Sequence, residues 1–162
     1  MNKFIVPKIQ RKKAKNVAML LLHKNMKNEY RILVVRDKFK KKWMIPAGGI
    51  NRHKKEGAFR AVSREFYEET TIKLSYFITD KFMEYYYQPT KTLFFIGFTR
   101  KSFPKGGIGT TETDKIDHIN AKNFYNNISK LKGIKGYVRK SYIEVINYLA
   151  MYGVKFAIKI LK

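Results

Sequence analysis

Gly48–Ile72, GGINRHKKEGAFRAVSREFYEETTI, is the stretch on which the reading of this chain turns. Two glycines lead into a basic loop. Then Ala58, Ala61, Val62 and Phe66 recur every three or four residues, which predicts a helix over roughly 55–70. Glu65, Glu68 and Glu69 stand on it at i, i+3 and i+4, so they are neighbours on one face. Like charges at that spacing cost a helix about 0.2–0.5 kcal/mol per pair. A hard divalent cation reverses the sign, because it takes carboxylate oxygens together with water and phosphate oxygens. The plainer alternative is an exposed face paired to bases, such as Arg60–Glu56 and Arg64–Glu68, at about 0.3–0.5 kcal/mol each. Charge favours the cation: residues 56–69 hold four of the twelve acids and only two bases, in a chain of net charge +23.

The pattern Arg64-Glu65-Phe66-x-Glu68-Glu69, with Gly48-Gly49 and Glu56 ahead of it and Ile72 behind, resembles the signature of the Nudix hydrolases, G-x5-E-x7-R-E-U-x-E-E-x-G-U with U apolar. Two positions depart from it. Ile50 stands where the first glycine belongs, which reads as a one-residue insertion in a loop, a change chains tolerate well. Thr71 replaces the last glycine, which ordinarily supplies a left-handed helix cap. The resemblance implies an α/β/α sandwich with a mixed β-sheet. It implies Mg²⁺ or Mn²⁺ held by Glu65 and Glu69, with Glu68 a third ligand or a holder of ligand waters. A carbonyl of Gly48 or Ala47 completes the set. Arg64 orients a carboxylate of the cluster, Glu65 or Glu68 activates water, and Glu56 braces the loop or adds an outer ligand. Many members place a further acid late in the chain; Glu112, in ETDKID, matches that position loosely.

At 162 residues and 44% hydrophobic content, one domain with a core is expected. There is no cysteine, so neither disulfides nor thiolate metal sites arise. The longest clean apolar run, Val17–Leu22, is far short of a bilayer span, and MNKFIVPKIQRKK carries too small an apolar patch for a signal peptide. The expectation is a soluble, cytoplasmic protein without a membrane partner. The lysines and arginines, 35 against 12 acids, point to a polyanionic partner, although a lysine-rich composition explains part of the excess.

Along the chain, 1–15 reads as a basic arm, either a phosphate grip or a solvated tail, and 16–162 as the domain. Strands are expected at Asn16–His23, Tyr30–Arg36, Trp43–Ile45, Ile72–Phe77, Lys81–Gln88, Thr92–Arg100 and Asp117–Lys122. Thr92–Arg100 is continuously apolar, as a buried central strand would be. Pro46–Gly49 reads as a turn, Lys38–Lys42 as a basic loop, and Lys101–Lys115 as a flexible loop. Tyr137–Met151 reads as a helix closed by Gly153, with the tail after it strand or more helix.

Three substrates suit these features. Capped RNA would be cut in its 5′ triphosphate bridge, releasing m7GDP and 5′-monophosphate RNA. Many lysines would engage the RNA, and Trp43, Phe39, Tyr85 or Tyr87 would stack on the cationic methylguanine. Dinucleoside or diphosphoinositol polyphosphates, small polyanionic substrates, would suit the basic cluster Arg52, His53, Lys54 and Lys55. The third reading is a non-catalytic RNA-binding module; three mutually repelling acids in a basic chain argue against it. His23, His53 and His118 lack ligand spacing.

Overall fold

Alternation along the first two strands organises the sheet. In the computed structural model, which describes residues 8–78, 82–131 and 140–160, β1 (Asn16–Lys24) sends Ala18, Leu20 and Leu22 to one face and Val17, Met19 and Leu21 to the other, all buried. Around it lie β2 (Tyr30–Asp37), β3 (Trp43–Met44), β4 (Ala47–Gly49), β5 (Phe82–Tyr87), β6 (Thr92–Thr99), β7 (Gly106–Gly107) and β8 (Thr113–Asn120). The strand order is β5-β6-β1-β2-β8-β7, with β3 on β2 and β4 on β1. β1 and β6 run parallel and the other pairs antiparallel, so the sheet is mixed. All eight residues of β6 are buried, as its continuous apolar run predicts.

Helices cover both faces, giving the α/β/α sandwich. α2 (Ala58–Thr70) lays Ala61, Val62 and Phe66 on the face of Val17, Met19 and Leu21. Complete burial of a side chain such as Phe66 stabilises the fold by about 1.5–3 kcal/mol. α3 (Phe124–Lys130) and α4 (Lys140–Ile160) cover the other face through Phe124, Ile128, Ile146, Leu149 and Ala150.

Several sequence expectations change. Ile72–Phe77 is not a strand: Leu74–Tyr76 is a 3-10 turn that tucks Leu74 and Phe77 into the α2-side core. Ala47–Gly49 pairs with β1 as a strand. β8 begins at Thr113, inside the segment read as loop, because Thr113 and Lys115 find partners on β2 across a register shift at Arg36/Asp37. α3 was not foreseen. The described part of α4 runs on past Gly153 to Ile160; Tyr137, where that helix was expected to begin, and Lys81 lie outside the described residues. Gly153 is no cap. A Cβ there would lie 2.6 Å from Leu22 and 3.1 Å from Ile96, so glycine is what lets α4 approach the sheet.

Of the basic arm, residues 1–7 lie outside the described residues, while Lys8–Lys13 forms α1, folded onto the domain. Arg11 pairs with buried Glu84 at 2.6 Å, Ala14 is buried, and the N–H of Ile50 donates to Lys15 O at 2.9 Å. No helix among the described residues is long and apolar enough to cross a membrane.

Candidate active site

α2 is set by its two ends. Gly57 precedes it in extended conformation, and Thr71 ends it in the left-handed region (φ 65°), its N–H donating to Tyr67 O at 2.8 Å. The missing glycine therefore leaves the cap in place at a cost, about 1–2 kcal/mol for an L-residue held in that region. Thr70 eases the exit: its hydroxyl donates to Phe66 O and accepts from Ile72 N–H. The loop ahead of the helix, which carries the extra residue, holds a 3-10 turn, Arg52–Lys54, closed by left-handed Lys55.

On this helix Glu65 and Glu69 are 8% and 7% exposed. Glu112 arrives from the segment before β8, and one oxygen of each of Glu65, Glu69 and Glu112 lies within 4.8 Å of the others. The approach needs Gly48, since a Cβ there would fall on the Glu65 carboxylate. Burial pushes Glu69 up to about 9; the Ala47 N–H at 3.3 Å draws it back, and Glu65, Glu112 and Glu68 add to the rise. Burial also raises Glu65, against the pull of Arg64. Such a trio is costly when ionised and bare. A donor set made only of carboxylate oxygens, drawn together with room left by a glycine, fits a hard divalent cation.

Arg64 ties the region together. Nε and Nη2 donate to Glu56 at 2.8 and 3.0 Å, Nη1 to Glu65 at 2.9 Å and to Glu68 at 3.2 Å, and Nη2 to Gly49 O at 2.8 Å. Glu56 also accepts the Asn51 N–H at 3.1 Å, and Arg64 holds its carboxyl down at about 2. One guanidinium thus fastens the loop to the helix and fixes the Glu65 carboxylate. Glu68 stays at the rim, its side chain 45% exposed, outside the group of three.

The other sequence-named residues scatter. Trp43 is 6% exposed in the α4-side core, which leaves its ring little open face for a base. Tyr85 and Tyr87 are half-buried and pack against that same core. Arg52 turns away from the carboxylates, and its Nη2 donates to Arg11 O, Lys12 O and Ala14 O at 2.9–3.2 Å, satisfying carbonyls at the end of α1. Lys54 is exposed on the 3-10 turn. His118 accepts from Arg31 Nε at 3.0 Å and is lowered, chiefly by burial.

Sequence reasoning missed what anchors Glu112. Buried Thr113 donates Oγ1–H to Glu69 O at 2.6 Å, and Lys38 N–H donates to Glu112 O at 2.7 Å. Asp114 binds Arg36 through both oxygens at 2.8 and 2.9 Å and also pairs with Lys41, which hold it far below the usual carboxylate range. These contacts join residues 44 to 78 positions apart, so no local pattern signals them.

Residues 12–124 match the Nudix domain family. No curated protein sequence matches this chain. Among solved structures, a Caenorhabditis elegans Ap4A hydrolase in a binary complex is similar at TM-score 0.62 and 12% identity, over 87% of this chain and 99% of that one. The Nudix domain of Shewanella oneidensis NrtR, complexed with ADP ribose, is similar at 0.56 and 13%, over 91% and 92%. A MutT protein from Methanosarcina mazei Go1 is similar at 0.53 and 16%, over 88% and 97%. The chain belongs to the Nudix family. Solved structures that it resembles in fold include hydrolases of that family.

Proposed function

We propose that the chain is a Mg²⁺- or Mn²⁺-dependent pyrophosphohydrolase of 5′-capped RNA, releasing m7GDP and 5′-monophosphate RNA. One observation carries the reading: a carboxylate trio, Glu65 and Glu69 buried and Glu112 exposed, lies in a chain of charge +23, in which Glu56 is held by Arg64, Glu84 by Arg11 and Asp114 by Arg36. The cationic surplus faces outward, where a long polyanion releases counterions from many lysines at once.

A bound divalent cation acidifies water and clamps phosphate oxygens. Glu65 and Glu69 hold it from α2 and Glu112 from the opposite segment; the Gly48 carbonyl is the further oxygen that the family resemblance suggests. Arg64 keeps Glu65 in place. Glu68, at the solvent rim, orders the attacking water. Tyr85, Tyr87 and Lys54 are the remaining substrate contacts in this reading.

The test offers cap-labelled RNA, m7GpppG, diadenosine polyphosphates, ADP-ribose and diphosphoinositol polyphosphates with each metal. Labelled m7GDP from long RNA, at a rate falling steeply with salt, is expected, with m7GpppG a poor substrate. Equal rates on m7GpppG and long RNA would replace this reading with a small polyanionic substrate, the alternative favoured by the fold likeness to the Ap4A hydrolase. RNA binding without any product under either metal would leave a non-catalytic module.

A further inference from the structure

Glu69 and Glu112 reach the carboxylate trio from different elements, so their separation has to be set by contacts between those elements. A pair of threonines supplies them. Thr113, 4% exposed, donates Oγ1–H to Glu69 O at 2.6 Å. Carbonyls in the last turn of a helix lack partners within it, so this bond satisfies an otherwise orphaned group of α2. Having given its one hydrogen to Glu69, Thr113 Oγ1 accepts from Thr110 Oγ1, 2.6 Å away. Thr110 Oγ1 in turn accepts the N–H groups of Thr113 at 2.7 Å and of Glu112 at 3.2 Å. The bonds thus run in series from the backbone of Glu112, through two hydroxyls, to the backbone of Glu69, and each polarises the next.

Two further ties of this segment lead away from α2. Lys38 N–H donates to Glu112 O, and Arg36 binds Asp114, so both fasten the segment to β2 and the residues after it. They hold Glu112 against the sheet and leave its distance from α2 to the threonines. That distance matters for the ion. Mg²⁺ demands near-ideal octahedral geometry at about 2.0–2.1 Å, whereas Ca²⁺ accepts more oxygens at about 2.3–2.6 Å in flexible arrangements. Two ligands whose separation is fixed can tell these ions apart. Two ligands free to spread take the larger ion as readily.

We infer that Thr113, with Thr110 behind it, is the positioning residue that sets the separation of Glu69 and Glu112, and with it the preference of the site for Mg²⁺ over Ca²⁺. The inference rests on the proposed reading of the trio as a metal site. It is independent of which anhydride is cleaved, and its test does not require turnover.

The test follows Mn²⁺ binding to the full chain by water-proton relaxation, with Mg²⁺ or Ca²⁺ then added as the competitor. Thr113→Val keeps the shape and removes the hydroxyl. It is expected to weaken Mg²⁺ binding about tenfold, the loss typical of removing a group that orients a metal ligand, while Ca²⁺ binding changes far less. Thr113→Ser, which keeps the hydroxyl, should restore the parent preference. Thr110→Val should shift the Mg²⁺-to-Ca²⁺ ratio in the same direction, and it decides the matter should Thr113→Val fail to fold. Thr99 is equally buried but pairs with His23, at the opposite end of β1 from the strand partner of Gly48, so Thr99→Val should bind both ions as the parent does. An unchanged ratio in both Thr113→Val and Thr110→Val, equal losses of the two ions, a loss that Thr113→Ser fails to restore, or the same loss in Thr99→Val would each overturn the inference alone. A parent chain that binds none of the three ions would overturn the metal reading together with it.

Discussion

Two basic loops border the carboxylates, residues 38–42 with four lysines in five positions and residues 50–55 with Arg52, Lys54 and Lys55 in six. In the first, an aspartate gathers the backbone amides and turns the lysines and Phe39 outward. In the second, Arg52 folds back onto three carbonyls at the end of α1, and Glu56 is drawn inward by Arg64. Neighbouring cations therefore serve different ends: Arg52 staples the chain to itself and Lys41 pairs with Asp114, while Lys54 and Lys55 are exposed. A count of charges cannot separate them. What separates them is which partner lies within reach of each side chain, three main-chain carbonyls for Arg52 and the Asp114 carboxylate for Lys41.

The largest effect removes the site that both loops border. Glu69→Gln should lower kcat about 10³-fold, measured on any cleaved anhydride. It should also raise the thermal midpoint of the metal-free protein at pH 8, because folding no longer has to take up a proton on a buried acid whose titration is pushed up to about 9. Turnover preserved in this variant would separate the trio from catalysis.

Next in size, Arg64→Lys should cost about 10–100-fold in kcat/KM, since an ammonium cannot bridge Glu56, Glu65, Glu68 and Gly49 together. Amide hydrogen exchange should accelerate in 50–56 and leave 38–42 as it was. Acceleration in both loops would mean that the two are one unit.

The Mn²⁺ dissociation constant should fall by up to about tenfold per pH unit between pH 6 and 8, read by calorimetry, because the cation displaces a proton from Glu69. The sign follows from the raised acid: between the unfolded value, 4.5, and about 9 the metal-free fold binds more protons than the unfolded chain. Its stability therefore falls as pH rises through that window, and the cation recovers it. A flat profile would place the metal elsewhere.

Smaller still, Arg52→Gln should destabilise the fold by about 1 kcal/mol through its lost carbonyl contacts while keeping the parent salt slope for RNA. Thr71→Gly should stabilise by about 1 kcal/mol, by placing at the left-handed cap the residue that tolerates it. A loss on denaturant melting would show that the threonine side chain holds more than its backbone strain costs.

The sequence by itself determined the parts whose cause is local. Apolar periodicity marked α2, alternation and β-rich runs marked β1, β2, β5 and β6, and the spacing of Glu65, Glu68 and Glu69 marked one helix face and with it the family. Tertiary structure decided what depends on partners far along the chain. It set which glutamates meet, since Glu112 comes 43 positions after Glu69 to join it while nearer Glu68 stays at the rim. It buried Trp43, turned Arg52 back and Phe39 outward, and made Gly153 a helix–sheet contact in place of a stop. Periodicity records which side of an element is apolar. The direction of a charged or aromatic side chain is fixed by the nearest available partner, and that is known only once distant segments have packed.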